Sequence, residues 1–596
     1  MSNNEPIKLR IPRQDLVEFS AFSLTAEHAG HWASELPMGN SAEVAQQLRV
    51  ALDDFNRVDM APDLRFQIIE ALRPTIHIAL STLSKYYLNQ PIVLPEEPRK
   101  AVLLAQSLYD LMATAYTITA IQTIQRKDSI TSANPAKLVC ESVHRAVTTS
   151  SLKLLLTYQL YQPIEPNAWL EVHQLYLLAE RQKLISQLVS DDIVGDCNIK
   201  TAYLRILLLG CCKSNQLRQR DLAGVFKGLK DWVQHAELVW ASEGDGLFLV
   251  DSASDQPPLY SSLFDEEPGP TCRLIGTDAL IKQLKEVRKD AGERAILFDK
   301  DTAVSPNVLD HLITSWGVMS KRNFARAPAQ DRLWVSVGLS NTHYYVSGGI
   351  SFDQLISSGG GDALVDGAEK NVFMDGRESQ ETDIWDSAFS ADEEKSIDME
   401  NIEFHIREAE SQKNTNAKER HPVFPVRMFN VSPGGYCLEW PSNIPSHIRT
   451  GELISVREVD NSSWSIAVIR WVNQINNQTT LLGVELLSPR ATPYGARVHH
   501  KTGDVGDIMR ALLLPEIKLV GQPNTLITPR VGFKDRQKVS LILNGEESYI
   551  QLNKKIASTA TYNQFEFRKL QHLEAVAAQD KSDVINTEFE SLWNNI

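Results

Sequence analysis

The spacing of the hydrophobic residues changes near Gly244, and this change constrains the fold more than any other feature of the chain. From about residue 40 onward the apolar residues recur at helical spacing. One such stripe consists of Val44, Leu48, Leu52 and Phe55. Asn40, with Glu43 three residues later, is a candidate N-cap for this first amphipathic helix. The sequence therefore predicts an all-α region over 1–241, arranged as a helical bundle or an array of helix pairs.

Beyond residue 241 the pattern indicates short strands bounded by Pro, Gly and acidic turns. Two helical stretches interrupt the first strands, which predicts a small α+β segment over 242–318. Short strand-like runs then indicate a small β-barrel over 319–490. A further set over 506–573 contains an Asn-Gly hairpin turn at 544–545 and predicts a small all-β domain. The expected fold class is multidomain α+β.

Three segments lack the apolar residues that a core requires. The segment at about 357–418 is strongly acidic and is expected to be a disordered insertion. Its large apolar side chains are Phe373, Trp385 and Phe389. They are either candidates for docking on a partner or parts of a solvated loop. We expect a polar linker at 491–506 and a polar tail at 574–596.

Composition narrows the function classes. The formal net charge is -15, which argues against broad nucleic-acid binding because such binding needs a positive field. The six cysteines include no Cys-x-x-Cys pair, so neither a zinc ribbon nor a redox motif is indicated. The most apolar run, at 203–212, is too short to span a bilayer and reads as a buried helix. We expect a cytoplasmic protein with no transmembrane segment and no signal peptide.

Two short polar motifs lie on either side of the acidic insertion. Arg322 and Arg326 form an Arg-x-x-x-Arg pair just before a predicted strand. Asn430, Ser432 and Gly435 form an Asn-x-Ser-x-x-Gly corner between two predicted strands. Each motif alone is common, because exposed arginines are usually solvated and Asn and Ser often hydrogen-bond within turns. Their order along the chain, followed by further barrel strands, is more specific.

This combination resembles the PilZ domain, the bacterial receptor module for cyclic di-GMP. The matching residues are Arg322, Arg326, Asn430, Ser432 and Gly435. The segments 469–472 and 482–486 resemble late barrel strands of that family. About a hundred residues separate Arg326 from Asn430 here, whereas a few tens are usual in the family. The insertion would therefore split the barrel between its first and second strands. Long insertions in surface loops cost little free energy, so a barrel can tolerate one there.

The residue types of the two motifs suit a cyclic dinucleotide. An arginine fork meets phosphate oxygens or the O6/N7 edge of guanine, and its face stacks on a base. Asn430 offers both a donor and an acceptor, and Ser432 adds a hydroxyl. Glycines at 434 and 435 are expected to let the backbone turn sharply and approach the ligand. The expected ligand-binding residues are Arg322, Arg326, Asn430, Ser432, Gly434 and Gly435.

The resemblance implies a non-enzymatic cyclic di-GMP receptor whose arginines clamp the nucleotide against the barrel. Ordering of residues 322–326 by the ligand is expected to change the domain arrangement and the binding of a protein partner. That unknown partner would use the helical region or the acidic insertion. The alternative is an interaction scaffold whose PilZ-like barrel no longer binds nucleotide. No catalytic motif is present, and His499-His500 has no further ligand at metal spacing, so neither an enzyme nor a metal site is expected.

Overall fold

A computed structural model of the chain divides it into two compact units. The described residues are 7–126, 130, 134–264, 267–300, 302–319, 326–329, 331–357, 421–441, 444–459, 463–476, 479–500, 505–517 and 522–570. The first unit comprises Met1–Asn323, Pro441–Ile448 and Trp471–Leu481. The second comprises Phe324–Trp440, Arg449–Arg470 and Leu482–Ile596. Arg322, nearly all of the expected insertion at 357–418 and the tail at 574–596 lie outside the described residues.

Eight helices build the N-terminal part of the first unit, within its described residues. They are α1 (Ala26–Glu35), α2 (Ser41–Phe55), α3 (Pro62–Tyr87), α4 (Glu96–Gln125), α5 (Pro135–Gln159), α6 (Ala168–Arg181), α7 (Ile199–Cys211) and α8 (Gln219–Trp232). Asn40 caps α2, because its side chain accepts the Glu43 N–H at 3.3 Å. The predicted apolar stripe of α2 is fully buried, and the apolar run at 203–212 lies in buried α7. Both predictions are confirmed.

A small α+β part completes the first unit. Its helices are α9 (Asp278–Ala291) and α10 (Pro306–Gly317). The short strands of the unit are β1 (Leu188–Val189), β2 (Cys197–Asn198), β3 (Glu237–Trp240), β4 (Phe248–Asp251), β5 (Leu259–Tyr260), β6 (Cys272–Gly276), β7 (Ile296–Leu297) and β8 (Ala303–Val304). Strands β3 to β6 form one sheet in the order β3-β6-β4-β5.

The α+β part and the helices share one hydrophobic core. Its buried residues run from Ala29 in α1 to Trp316 in α10. Trp316 is fully buried and donates its indole N–H to the Leu208 carbonyl at 3.0 Å. Side chains from before and after Gly244 pack together in this core. The change in hydrophobic spacing near Gly244 therefore marks a change of secondary structure within one core. None of the described helices is long and apolar enough to cross a membrane.

The first barrel, here called the middle barrel, is a closed antiparallel barrel, and most of its residues belong to the second unit. Its strands are β9 (Ala327–Pro328), β10 (Arg332–Val337), β11 (Val423–Ser432), β12 (Gly435–Pro441), β13 (Leu453–Glu458), β14 (Ser465–Asn476) and β15 (Thr479–Ser488). The order is β10-β13-β14-β15-β12-β11, and pairing of β10 with β11 closes the barrel. The two-residue strand β9 pairs with the far end of β11. Strands β10 and β11 flank the insertion, so the barrel is split where the sequence predicts.

The second barrel of this unit is closed by six strands. They are β16 (Thr492–His499), β17 (Met509–Leu514), β18 (Thr525–Pro529), β19 (Lys538–Leu543), β20 (Glu546–Ser558) and β21 (Tyr562–Leu570). The predicted turn at 544–545 joins β19 to β20, and both of its residues have positive φ. The linker expected at 491–506 is wrong for its first half, which forms β16. Ala496 and Val498 alternate there with polar residues and are buried in the barrel core.

Two helices absent from the sequence prediction connect the barrels. They are α11 (Leu339–Val346) and α12 (Phe352–Ser357). The buried ring of His343 in α11 meets the Tyr494 carbonyl at 3.2 Å, and Asn544 donates its N–H to the Leu355 carbonyl in α12 at 2.8 Å. One apolar cluster also draws on both barrels. It contains Leu453, Ile466, Val468, Leu512, Leu514, Ile527 and Tyr562. The fold class is multidomain α+β, as predicted.

Candidate functional site

Strand β9 brings Arg326, the second arginine of the motif, to the Asn-x-Ser corner. Ala327 pairs with Val431 and Pro328 pairs with Asn430. The chain continues alongside β11, because Ala329 donates its N–H to the Phe429 carbonyl at 3.4 Å. Arg326 precedes β9 directly and is exposed, so it lies beside the corner despite a separation of about a hundred residues in the chain. Of the two predicted arginines, Arg326 is thus placed at the corner, and Arg322 is outside the described residues.

The Arg326 charge acts on the strand pair that carries Asn430. Asn430 lies opposite Cys437 of β12 in the register. Burial raises the pKa of the Cys437 thiol, and the positive charge of Arg326 acts against that shift. The pairing of β9 with β11 independently places Arg326 on this part of the barrel. The exposed cation and the polar corner therefore face the same small area of the barrel.

Asn430 carries an unsatisfied acceptor. The pairing of β11 with β12 shifts between Met428 and Asn430, so that an extra residue, Phe429, is inserted into β11 as a β-bulge. The Asn430 Oδ1 atom is buried and has no hydrogen-bond donor among the described residues. A buried acceptor left unpaired costs about 1–3 kcal/mol, which a donor supplied by a ligand or an arginine would recover.

The remaining corner residues form a tight turn held by the barrel itself. Ser432 donates its hydroxyl to the Gly435 carbonyl at 3.3 Å, and Leu486 donates its N–H to the Gly434 carbonyl at 3.0 Å. Gly435 is buried with φ +149°, and a Cβ there would lie 2.0 Å from the Val484 carbonyl oxygen. The close approach that requires glycine at 435 is thus made to strand β15. The ligand role expected for these residues stays a prediction.

A row of charged side chains crosses the barrel next to the bulge. Arg332 of β10 pairs in register with Arg427 of β11, and Arg427 pairs with Glu439 of β12. The Arg427 guanidinium lies 3.3 Å from the Glu439 carboxylate. Sequence reasoning missed Arg427 and the exposed Phe429. The available signal was the alternation in "VRMFN", where buried Met428 separates these two outward-facing residues.

The first unit contains a buried charged network of different character. Asp191 accepts from Arg73 at 2.8 and 2.9 Å and from Arg145 at 2.8 Å. Beside it, His144 Nε2 lies 3.2 Å from Cys197 Sγ. Burial lowers the pKa of His144 to about 4 and raises the pKa of Cys197, so this pair is neutral. An activated cysteine needs the opposite shifts, because the thiolate is its reactive form.

A search for metal-binding groups covered the described residues. Nowhere among them do three or more His, Cys, Asp or Glu side chains lie close enough together to hold a metal ion. The candidate site on the middle barrel consists of other groups, namely the Arg326 cation, the Asn430 amide and the Phe429 ring. Such groups recognise anions and bases.

Comparison with known proteins gives matches along the whole chain. A family model described as "Cyclic-di-GMP receptor FimW, middle PilZ domain" matches residues 247–493. Models of the FimW N-terminal domain and the FimW C-terminal β-barrel domain match residues 27–242 and 494–570. The "Cyclic-di-GMP receptor FimW" of Pseudomonas aeruginosa is 30% identical over 621 residues, which covers 100% of both chains. No solved structure gives a significant match. The chain therefore belongs to the cyclic-di-GMP receptor FimW family, with a PilZ domain in the middle of the sequence.

Proposed function

We propose that this protein is a non-enzymatic cyclic di-GMP receptor that binds the nucleotide on the outer surface of the middle barrel. Arg322 and Arg326 clamp the ligand against the corner formed by Asn430, Ser432 and the two glycines that follow. The observation that carries the proposal is the pairing of β9 with β11, which holds Arg326 beside the Asn-x-Ser corner. The relative from P. aeruginosa is named as a receptor for the same nucleotide.

The chemistry of the ligand matches the groups at the corner. Cyclic di-GMP carries two phosphates and two guanines, and an arginine fork binds either group bidentately. Guanine also carries N–H donors on its pairing edge, and the buried Asn430 Oδ1 lacks a donor among the described residues. Arg326 is an exposed residue, so a phosphate can approach it from solvent.

Binding is further proposed to change the domain arrangement and thereby the binding of a protein partner. The arginine segment at 319–326 connects the first unit to the middle barrel along the chain. A ligand that holds this segment against β11 favours those arrangements in which the segment is docked, to the extent that it binds them better. The partner would be recognised through the helical region or the acidic insertion.

Calorimetric titration of the full chain with cyclic di-GMP tests the proposal. Charge-assisted hydrogen bonds contribute about 1.5–3 kcal/mol, so Arg326→Ala should weaken binding by roughly 10- to 100-fold. Arg322→Ala should do the same. Asn430→Ala removes a hydrogen bond between neutral groups, worth about 0.5–1.5 kcal/mol, and should weaken binding by roughly 2- to 10-fold. Arg530→Ala is the matched control, because Arg530 is an exposed arginine at the end of β18 in the second barrel. The Arg530→Ala variant should bind cyclic di-GMP with the affinity of the wild type.

Two outcomes would contradict the proposal. If the wild type gives no heat of binding at high concentration, the protein is a scaffold with a PilZ-like barrel that does not bind this nucleotide. If the wild type binds and the arginine variants bind equally well, the nucleotide occupies another site. Thermal unfolding of each variant without ligand distinguishes a lost contact from a misfolded barrel.

A further inference from the structure

Phe429 is an apolar side chain in an unusual place. Its relative exposure is 51%, although it lies within the central part of the ten-residue strand β11. It is the inserted residue of the β-bulge between Met428 and Asn430, so no residue of β12 lies opposite it. Bulges of this kind re-aim side chains next to binding sites. The bulge therefore holds an aromatic ring at the barrel surface directly beside Asn430.

The register shows that Phe429 and Asn430 share the outer face of the barrel. Met428 and its partner Leu438 are buried at 6% and 0% exposure, so both point into the barrel. Side chains alternate along a strand, and Phe429 therefore points outward. By the same alternation Cys437, next to Leu438, lies on the outer side of its strand, although it is covered there at 2% exposure, and Asn430 lies opposite it on the same side. Without the bulge, either Phe429 or Asn430 would point into the barrel, because adjacent residues of a regular strand face opposite sides.

The two groups offer complementary contacts to one base. An exposed aromatic face stacks on any nucleobase, and this contact is independent of the base edge. The Asn430 Oδ1 atom beside it is a buried hydrogen-bond acceptor that has no donor among the described residues. Guanine provides both a flat face and a donating edge. The nearby positive charges of Arg326 and Arg332 attract the phosphates that flank the base, whereas Arg427 is paired with Glu439.

We propose that Phe429 is a stacking platform for one guanine of the bound cyclic dinucleotide, with Asn430 accepting a hydrogen bond from the edge of that guanine. This inference rests on the proposed function and adds a contact residue to it. Phe429 selects for a planar ligand, and Asn430 selects for a donor on the base. The β-bulge is the structural feature that makes both contacts available at one place.

The test compares substitutions at Phe429 that separate aromaticity from size. Phe429→Ala and Phe429→Leu should weaken cyclic di-GMP binding by about 5- to 150-fold in calorimetry, the range for loss of one stacked base. Phe429→Tyr and Phe429→Trp keep an aromatic face and should bind within about threefold of the wild type. Val531→Ala removes a comparably exposed apolar side chain, at 49% exposure, from the second barrel and should leave affinity unchanged.

The unfolding temperature of each ligand-free variant completes the test. Phe429 is half exposed, so the leucine variant should unfold within about 2 °C of the wild type. Equal affinities for the wild type, Phe429→Ala and Phe429→Leu would overturn the stacking role while leaving the receptor function intact. Equal weakening by leucine and tryptophan would overturn it as well, because shape rather than aromaticity would then matter. Failure of the wild type to bind would instead refute the proposed function.

Discussion

Substitution of Gly435 by alanine should destabilise the middle barrel even when no nucleotide is present. The residue is buried at the start of β12 with φ +149°, a conformation that residues with a side chain rarely adopt. A Cβ built on it lies 2.0 Å from the Val484 carbonyl oxygen of β15 and within 3.1 Å of two further backbone atoms. All three atoms belong to the backbone of β15, so no flexible side chain can move away to make room. The two strands must therefore separate locally.

The expected cost follows from these two effects. A side chain forced into a sparsely populated backbone region costs about 1–3 kcal/mol. Separation of the strands also weakens the hydrogen bond from the Leu486 N–H to the Gly434 carbonyl, worth about 0.5–1.5 kcal/mol. Together the free energy of unfolding of the barrel should fall by about 2–4 kcal/mol. This amount is a large part of the stability of a small domain.

Hydrogen exchange combined with thermal unfolding measures this effect. In Gly435→Ala, amides of β12 and β15 should exchange faster, and the transition of the second unit should move to lower temperature. Gly506→Ala is the matched control in the same unit, since its Cβ would meet the Val498 carbonyl oxygen at an ordinary 3.5 Å. If Gly435→Ala keeps wild-type exchange and unfolding but loses nucleotide affinity, Gly435 serves ligand approach and the packing argument is refuted.

The remaining predictions concern buried ionisable groups. Burial lowers the pKa of His343 to about 4. Between pH 6.5 and about 4 the unfolded chain therefore binds a proton that the folded chain does not, and the protein becomes less stable as the pH is lowered. The loss of stability between pH 7 and pH 5, measured by urea unfolding, should be smaller by roughly 2 kcal/mol in His343→Gln, and an equal loss would contradict the assignment. Asp191→Asn leaves Arg73 and Arg145 without their shared buried carboxylate and should cost about 3 kcal/mol in the first unit, whereas Asp15→Asn breaks an exposed ion pair and should cost under about 1 kcal/mol. Equal costs for these two variants would show that the buried network is not stabilising.

Elements with a local signal could be predicted from the sequence. The Asn40 cap and the hairpin turn at 544–545 depend only on adjacent residues, and both are found as expected. Strand β16 was hidden because Pro493 and Gly495 resemble linker residues. Gly495 is in fact needed within the strand, since a Cβ there would lie 2.8 Å from the Ile356 side chain of α12. Such a Cβ would lie equally close to the Ile508 side chain, so one of the two packing partners is 13 residues away in the chain and the other is about 140 residues away.

The candidate site was predicted in its residue types and missed in its pairing. Ala327 and Pro328 have no strand periodicity, and their place on β11 is set by long-range hydrogen bonding that a sequence pattern does not reveal. Phe429 reads as an ordinary apolar strand residue. Only the register shift places it on the same face as Asn430. The polar residues of the candidate site are thus readable from the sequence, while the placement of Phe429 beside them depends on tertiary structure.

The joint core of the two barrels has a practical consequence for fragment studies. The boundary between the middle and C-terminal family matches, at residues 493 and 494, falls inside strand β16. A fragment cut there would lose most of β16 and would expose Leu453 and Ile466, which pack against Leu512 and Ile527 of the other barrel. Such a fragment would aggregate through this uncovered apolar surface. For recombinant work a cut at this boundary should therefore be avoided, and the two barrels should be kept on one polypeptide.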